Sequence, residues 1–317
     1  MYKMAKVFID GSSGTTGLKI FDRLSSRSDI SLIKLSDELR KDVNAKAEAI
    51  NSADVVFLCL PDQAAIESVS LVKNKDVVVI DTSTAHRTND KFAYGFAEVN
   101  NYRENIKNAK LIANPGCHAS GFISLVAPLV KEGLLKKDVY LSCFSLTGYS
   151  GGGKKMIQAY EENPTTDLFA PRQYGLTQSH KHLPEMMKVC SLDNAPIFCP
   201  IVSNFVQGME VTVPVFKSDL KGSMKDIIDV YKNLYTTSMV HYDENEDESG
   251  FLTSNKYANF DDMGVSVYGN EDRIILVSRF DNLGKGASGA AIQNMNIVLG
   301  LDETTSLNIK GANHGIN

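Results

Sequence analysis

Two short stretches carry the residue types that covalent acyl chemistry needs. Asn114-Pro115-Gly116-Cys117-His118 joins the apolar run Leu111-Ile112-Ala113 to a segment with Phe122, Leu125, Val126, Leu129 and Val130 at helical spacing. Cys117 therefore falls where a strand turns through Pro-Gly into the first turn of a helix. Unpaired N–H groups and the positive dipole end gather there, which favours a thiolate and hence a nucleophile. A lone cysteine beside a tight turn also reads as a small buried core residue, so partner groups decide. His180-Lys181-His182-Leu183-Pro184-Glu185 supplies them. Pro184 suits the first turn of a helix, His182 precedes it, and Glu185 is close enough to orient the ring. A neutral histidine held by a carboxylate is a general base near neutral pH. His180 and His118 compete with His182 for that role. His180 and His182 have no third ligand at a sensible spacing, so no metal is expected.

Two further stretches suit anions. Ser150-Gly151-Gly152-Gly153-Lys154-Lys155 combines exposed backbone N–H groups with positive charge, although it also reads as a flexible turn. Asp81-Thr82-Ser83-Thr84-Ala85-His86-Arg87 follows an apolar strand; Ser83 could touch a cofactor and Arg87 an anionic substrate, or Thr82 to Thr84 could only cap a turn.

The elements that must position these groups begin with the strand Lys6–Asp10, which runs into Gly11-Ser12-Ser13-Gly14-Thr15-Thr16-Gly17 and a helix carrying Leu18, Phe21 and Leu24 on one face. Strand, glycine turn and helix in that order form a pyrophosphate cradle. Strands over 31–35, 54–60 and 76–81 alternate with a polar helix over 41–52 and a helix from Asp62, the rhythm of a Rossmann-type doubly wound parallel sheet. After the second strand, Ser36, Arg40 and Lys41 favour the 2′-phosphate of NADP(H), while Asp37 favours NAD. From Tyr140 onward strands dominate, at 140–147, 209–215 and 273–278, with one helix over 223–235, so a second, α+β domain is expected. The acidic run Asp243–Glu248 reads as a solvated loop. The tail, Asp281 to Ala291, is rich in small residues that permit close backbone approach, and it leads into a helix expected to return to the first domain. The expected division is 1–116 with 285–317 for the dinucleotide, and 117–284 for catalysis and oligomerisation.

Hydrophobic residues make up 43% of the 317 and charged residues 22%, enough apolar chain for a full core. The net charge of -5 advertises no basic face for nucleic acid or anionic membrane. Five scattered cysteines without a C-x-x-C pair fit a reducing compartment. With neither a signal-peptide pattern nor a membrane-length apolar run, cytoplasmic residence is the expectation.

Taken together, Gly11–Gly17, Asp81–Ser83, Asn114–His118, His180–Glu185, Asp281–Gly289 and Gln293-Asn294-Met295-Asn296 closely resemble the N-acetyl-γ-glutamyl-phosphate reductase family, relatives of aspartate-semialdehyde dehydrogenase, over nearly the whole length. The chain looks like the shorter of that family's two types and departs from the longer at Asp81–Arg87. The resemblance implies NADPH-dependent reduction of an acyl phosphate, in arginine biosynthesis, to a semialdehyde. Cys117 would form a thioester as phosphate leaves, and His182, oriented by Glu185, would shuttle the proton. It also implies cofactor contacts at Pro61, Asn282 and Gly286, a substrate contact at Asn114, and a homo-oligomer, dimer or tetramer. The acyl chain is not legible, so aspartyl and aminoadipyl phosphates stay open. Outside this chemistry stand a Cys117–His182 hydrolase, which leaves the glycine turn unexplained, and a silent dinucleotide sensor.

Overall fold

The alternating first third of the chain forms one parallel sheet. In the computed structural model, which describes residues 4–310, the strands are β1 (Ala5–Asp10), β2 (Ile30–Ile33), β3 (Val55–Leu58), β4 (Val78–Asp81), β5 (Ala93–Tyr94) and β6 (Leu111–Ala113). Their order is β2-β1-β3-β4-β6-β5, every pairing parallel. β3 and β4 are buried along their whole length, as strands covered on both faces must be. The connecting helices are α1 (Thr15–Ser25), α2 (Val43–Ser52), α3 (Asp62–Ser70) and α4 (Tyr102–Asn108).

Two details depart from the sequence reading. The buried stripe of α1 is Gly17, Ile20 and Leu24, not Leu18, Phe21 and Leu24. Leu18 is half exposed and, with Phe21, lines a cavity beside the glycine turn. The polar helix over 41–52 begins at Val43, because the Asp42 side chain accepts a hydrogen bond from Ala45 N–H at 2.7 Å and so caps it there.

The second half is built on α5 (Cys117–Lys131), β7 (Ser142–Gly148), α6 (Gly153–Glu161), β8 (Arg172–Gln173), α7 (Leu183–Cys190), β9 (Ile197–Ser203), β10 (Met209–Phe216), α8 (Met224–Leu234), β11 (Val240–Tyr242), β12 (Met263–Gly269) and β13 (Arg273–Phe280). The seven strands form one mixed sheet, ordered β11-β12-β13-β10-β7-β9-β8. β7–β9 and β11–β12 pair parallel and the remaining pairs antiparallel. α5 lies buried from His118 to Leu129. Its Gly121 approaches β10 so closely that a Cβ would stand 2.3 Å from Val211. Pro128 inside α5 has no N–H for the Ser124 carbonyl. The Tyr235 hydroxyl donates to that carbonyl instead, at 2.5 Å, and the helix runs on unbroken. A wide π-helical turn, Gly284–Ser288, then leads into α9 (Gly289–Val298).

Contacts divide the described chain into two compact units, one of residues up to 97, 101–115 and 287–306, the other of 98–100, 116–286 and 307–310. α9 thus belongs with the parallel sheet. The sequence reading also placed 307–310 there; instead Asn308 N–H and Lys310 N–H donate to Asp261 and Asp262 of the second unit. The acidic run is likewise no plain solvated loop. Asp243 is buried and accepts from the Tyr257 hydroxyl, and Glu248 pairs with Arg279, itself 1% exposed.

Candidate active site

Cys117 is the first residue of α5 and is half-buried. Two close approaches fix the backbone around it. Glu185 in α7, 1% exposed, accepts a hydrogen bond from Gly116 N–H at 2.9 Å and so pins the start of α5. Across from it, Gly286 in the π-turn comes so close that a Cβ there would meet Cys117 Cβ at 3.0 Å. The π-turn is itself held. Asp281, fully buried, accepts from the backbone N–H groups of Leu283 and Gly284, from Asn259 N–H and from Gln207 Nε2. Lys285 and Glu98, each 1% exposed, form an ion pair of 2.8 Å.

Three histidine rings gather around the residue that follows Cys117. His182, the residue before α7, lies 4.8 Å from His180 and 5.6 Å from His118 between ring centroids. His118 is 3% exposed and both ring nitrogens are engaged, Nδ1 with Ser145 Oγ at 2.6 Å and Nε2 with Tyr174 OH at 2.7 Å. Burial, and then the neighbouring His180, push its pKa down to about 3. His118 is therefore neutral at working pH with no nitrogen to spare, which removes it as a competitor for the base. Burial and then Lys181 lower His180 as well. The Tyr174 phenol is pushed up, by burial first and by the charge of Cys117 second.

Asn282 and Ser150 turn out to hold one another. Asn282 Nδ2 donates to Ser150 Oγ at 3.0 Å, its Oδ1 accepts from Gly208 N–H, and both residues are buried. Lys154 stands exposed on the first turn of α6.

The first unit holds the other set of predicted residues. A cavity of about 540 Å³ is lined by Asp10, Gly11, Ser12, Ser13, Leu32, Arg40 and Lys46, among others. Gly11 has φ +86° and a Cβ on it would stand 2.2 Å from the Cys59 carbonyl; on Gly17 it would stand 2.3 Å from the Gly11 carbonyl. Both glycines are thus demanded by the turn itself. Gly14 differs, since a Cβ there would only reach ordinary contact at 3.4 Å. Its bareness leaves room for an incoming group at the start of α1, where Thr15 and Thr16 stand. Arg40 pairs with Asp37 at 3.0 Å, both largely exposed, and Ser36 beside them is exposed. Lys46, which sequence reasoning passed over, pairs with Asp10 at 3.0 Å. Pro61 is the exposed residue that opens α3. Ser83 is buried, and its hydroxyl donates to Asp81, which also holds His86 Nδ1 at 2.6 Å. Arg87 donates to the carbonyls of Asn114 and Thr82. Asn114 is 1% exposed and is a buried brace rather than an open contact. Its Nδ2 donates to Ala287 O and its Oδ1 accepts from Asn294 Nδ2.

Comparison with known proteins fits both units. The NAD binding domain of the semialdehyde dehydrogenases matches residues 6–109, and their dimerisation domain matches 117–282. An N-acetyl-gamma-glutamyl-phosphate reductase of Brucella ovis is 44% identical over 311 residues, covering 93% of this chain and 99% of the relative. N-acetyl-gamma-glutamyl-phosphate reductase 2 of Nostoc sp. is 41% identical over 318 residues, covering 95% and 99%. The chain belongs to the N-acetyl-gamma-glutamyl-phosphate reductase family. Among solved structures, aspartate semialdehyde dehydrogenase II of Vibrio cholerae superposes with a TM-score of 0.72 at 17% identity, covering 94% of this chain and 98% of that one, which shows a shared fold.

Against the family's frame, the sequence reading missed the residues that act through others. Glu98 carries no local pattern, and the Asp281–Gly289 stretch was read for its small residues, so neither the Glu98–Lys285 ion pair nor the backbone-holding role of Asp281 was signalled. Lys46 was legible only as part of a polar helix. Among the described residues no helix is long and apolar enough to cross a membrane.

Proposed function

We propose that the chain reduces N-acetyl-L-glutamyl 5-phosphate to N-acetyl-L-glutamate 5-semialdehyde with NADPH, releasing phosphate, the arginine-biosynthesis reaction named by its relatives. The observation that carries it is Cys117 at the first turn of a long helix, braced by Glu185 through Gly116, with His182 5.6 Å from the ring of the adjacent His118.

The Cys117 thiolate attacks the acyl carbonyl, forming a C–S bond. The tetrahedral oxyanion rests on N–H groups at the start of α5, where the dipole is positive. The C–O bond to phosphate then breaks and a thioester remains, so one difficult displacement becomes two easier steps. NADPH supplies the hydride when bound. The Gly11–Gly17 turn would hold its pyrophosphate and Arg40 its 2′-phosphate, with Ser36, Pro61, Ser83, Asn282 and Gly286 as the remaining cofactor set. His182 gives a proton to the departing phosphate, and the thiohemiacetal oxyanion left after hydride addition expels the Cys117 thiolate as the C–S bond breaks and the aldehyde carbonyl forms. Arg87, Asn114, Ser150 and Lys154 make up the substrate set, Asn114 and Ser150 as braces. The enzyme is cytoplasmic and works as a homo-oligomer. The outer face of the seven-stranded sheet exposes Phe144, Ile197, Phe216 and Ile275, a surface that a second copy would cover.

The test is phosphate-dependent reduction of NADP by N-acetylglutamate semialdehyde, followed by nicotinamide absorbance, against aspartate semialdehyde and aminoadipate semialdehyde. The N-acetylated substrate should turn over fastest, and only with phosphate present. Preference for another semialdehyde overturns the acyl assignment; turnover without nicotinamide overturns the reaction.

A further inference from the structure

The π-turn against Cys117 carries a charged residue where an apolar one would pack. Lys285 is the one long side chain in the run Gly284 to Ala291. It meets Glu98 at 2.8 Å, with each side chain 1% exposed. Desolvation of two buried charges offsets much of their attraction, so apolar side chains of like volume would serve stability about as well. What the ion pair adds is a set length and direction, because the ammonium must donate to the carboxylate at hydrogen-bond distance. That tether lies between two glycines, the residues whose backbone is most easily displaced. Both glycines are wedged. A Cβ on Gly284 would stand 2.1 Å from the Phe260 carbonyl. On Gly286 it would stand 3.0 Å from Cys117 Cβ, 3.0 Å from the Asp281 carbonyl and 3.3 Å from the Phe280 ring. Glu98, Cys117, Lys285 and Gly286 all belong to one compact unit.

We propose that the Glu98–Lys285 pair is a peg that seats Gly286 against Cys117, which makes both charged residues positioning residues for the nucleophile. Gly286 walls one side of Cys117 at its Cβ, and a wall so near limits the rotamers open to the sulfur. The sulfur thus keeps one setting relative to the N–H groups at the start of α5. Without the peg the Gly284-Lys285-Gly286 backbone draws away. The sulfur gains room and rotamers, and acyl transfer loses its fixed line of attack.

The inference rests on Cys117 being the nucleophile of the proposed reaction, but its main test needs no substrate. The rate of Cys117 alkylation by iodoacetamide is measured at fixed pH by mass spectrometry of its peptide. The buried Cys143 and Cys190 are read on their own peptides, as a check on opening of the whole unit. Glu98→Gln with Lys285→Met removes both charges and strands neither. It should raise the Cys117 rate about threefold or more, with Cys143 and Cys190 still unmodified. Gly286→Ala crowds Cys117 and should lower the rate about threefold in the pegged protein, yet change it little once the charges are gone. In phosphate-dependent turnover the charge-free pair should lower kcat by about tenfold or more, with KM nearly that of the parent. Glu98→Asp keeps both charges and draws the carboxylate back by one methylene. It should also raise the Cys117 rate, and it decides the matter should the charge-free pair not fold. An unchanged Cys117 rate, purely additive effects of Gly286→Ala, or alkylation of Cys143 and Cys190 in step with Cys117 overturns the peg. If the parent protein reduces no acyl phosphate, the functional reading fails while the alkylation rates still decide the peg.

Discussion

Glu185 accepts the Gly116 N–H at 2.9 Å from within the protein interior, so a carboxylate of α7 sets the backbone one residue before Cys117. The side chain expected to orient a histidine anchors the start of the helix that Cys117 opens. Glu185→Gln keeps an oxygen acceptor and should keep the fold. Glu185→Ala leaves a buried N–H without its acceptor and should cost about 2 kcal/mol of stability, read as an earlier denaturant midpoint. Equal melts for the two variants would sink this role.

Cys117→Ser should lower phosphate-dependent turnover by at least about a thousandfold while NADPH titration, followed by fluorescence, stays that of the parent. Loss of cofactor binding would instead mean a structural cysteine. His182→Ala should lower kcat by about a hundredfold or more. His180→Ala should do markedly less. The reverse ranking would reassign the base.

Much of this arrangement was legible in the chain because it rests on local pattern. The apolar runs at 55–58 and 78–81, the glycine turn and the strand-turn-helix around Cys117 all declare themselves within a few residues. β5 and β8, two residues each, have no period to read. The face of α1 was misread because a cavity, not the core, faces Leu18 and Phe21. Long-range polar pairs stayed hidden for a different reason. Glu98 and Lys285 are 187 residues apart, and a charged residue in a sequence reads as surface until its partner is seen.

Arg40 is the candidate for the cofactor's 2′-phosphate, yet it already pairs with Asp37 at 3.0 Å. Both groups are largely solvated, so the pair is weak and easily exchanged. Asp37→Ala should release Arg40 and raise the preference for NADPH over NADH, measured as the ratio of kcat/KM values. Arg40→Ala should lower that ratio by about tenfold. An unchanged ratio in Arg40→Ala would move the phosphate contact elsewhere, with Lys46 the next cation in the same cavity.

His241 predicts a pH dependence of stability. Burial lowers its pKa, but the hydrogen bond and charge of Asp243, with the charge of Asp262, outweigh burial and hold it above its ordinary value. A raised histidine stabilises fully below its unfolded value near 6.5, and the benefit fades as pH rises through the folded value. Asp243 runs the other way. Burial raises it, and hydrogen bonds from His241 and Tyr257 bring it below its ordinary value, so its contribution is lost in acid. Thermal melting should therefore decline as pH rises above about 6.5, and His241→Gln should flatten that limb. An equal slope in His241→Gln would place the titration at another group.

The open face of the seven-stranded sheet makes the last prediction. Along β10 the outward positions Pro214 and Phe216 are exposed while Val213 and Val215 are buried, so alternation here runs apolar on both faces. A sheet face meant for water would carry polar residues outward. Phe144 in β7, Ile197 in β9 and Ile275 in β13 continue the apolar surface across neighbouring strands. Covering these side chains removes apolar area from water, which favours association. Phe144→Asp with Phe216→Asp sets charge into that surface and should convert an oligomer to monomer by analytical ultracentrifugation, with the far-ultraviolet spectrum unchanged. A parent protein that sediments as a monomer at micromolar concentration would remove the surface from consideration.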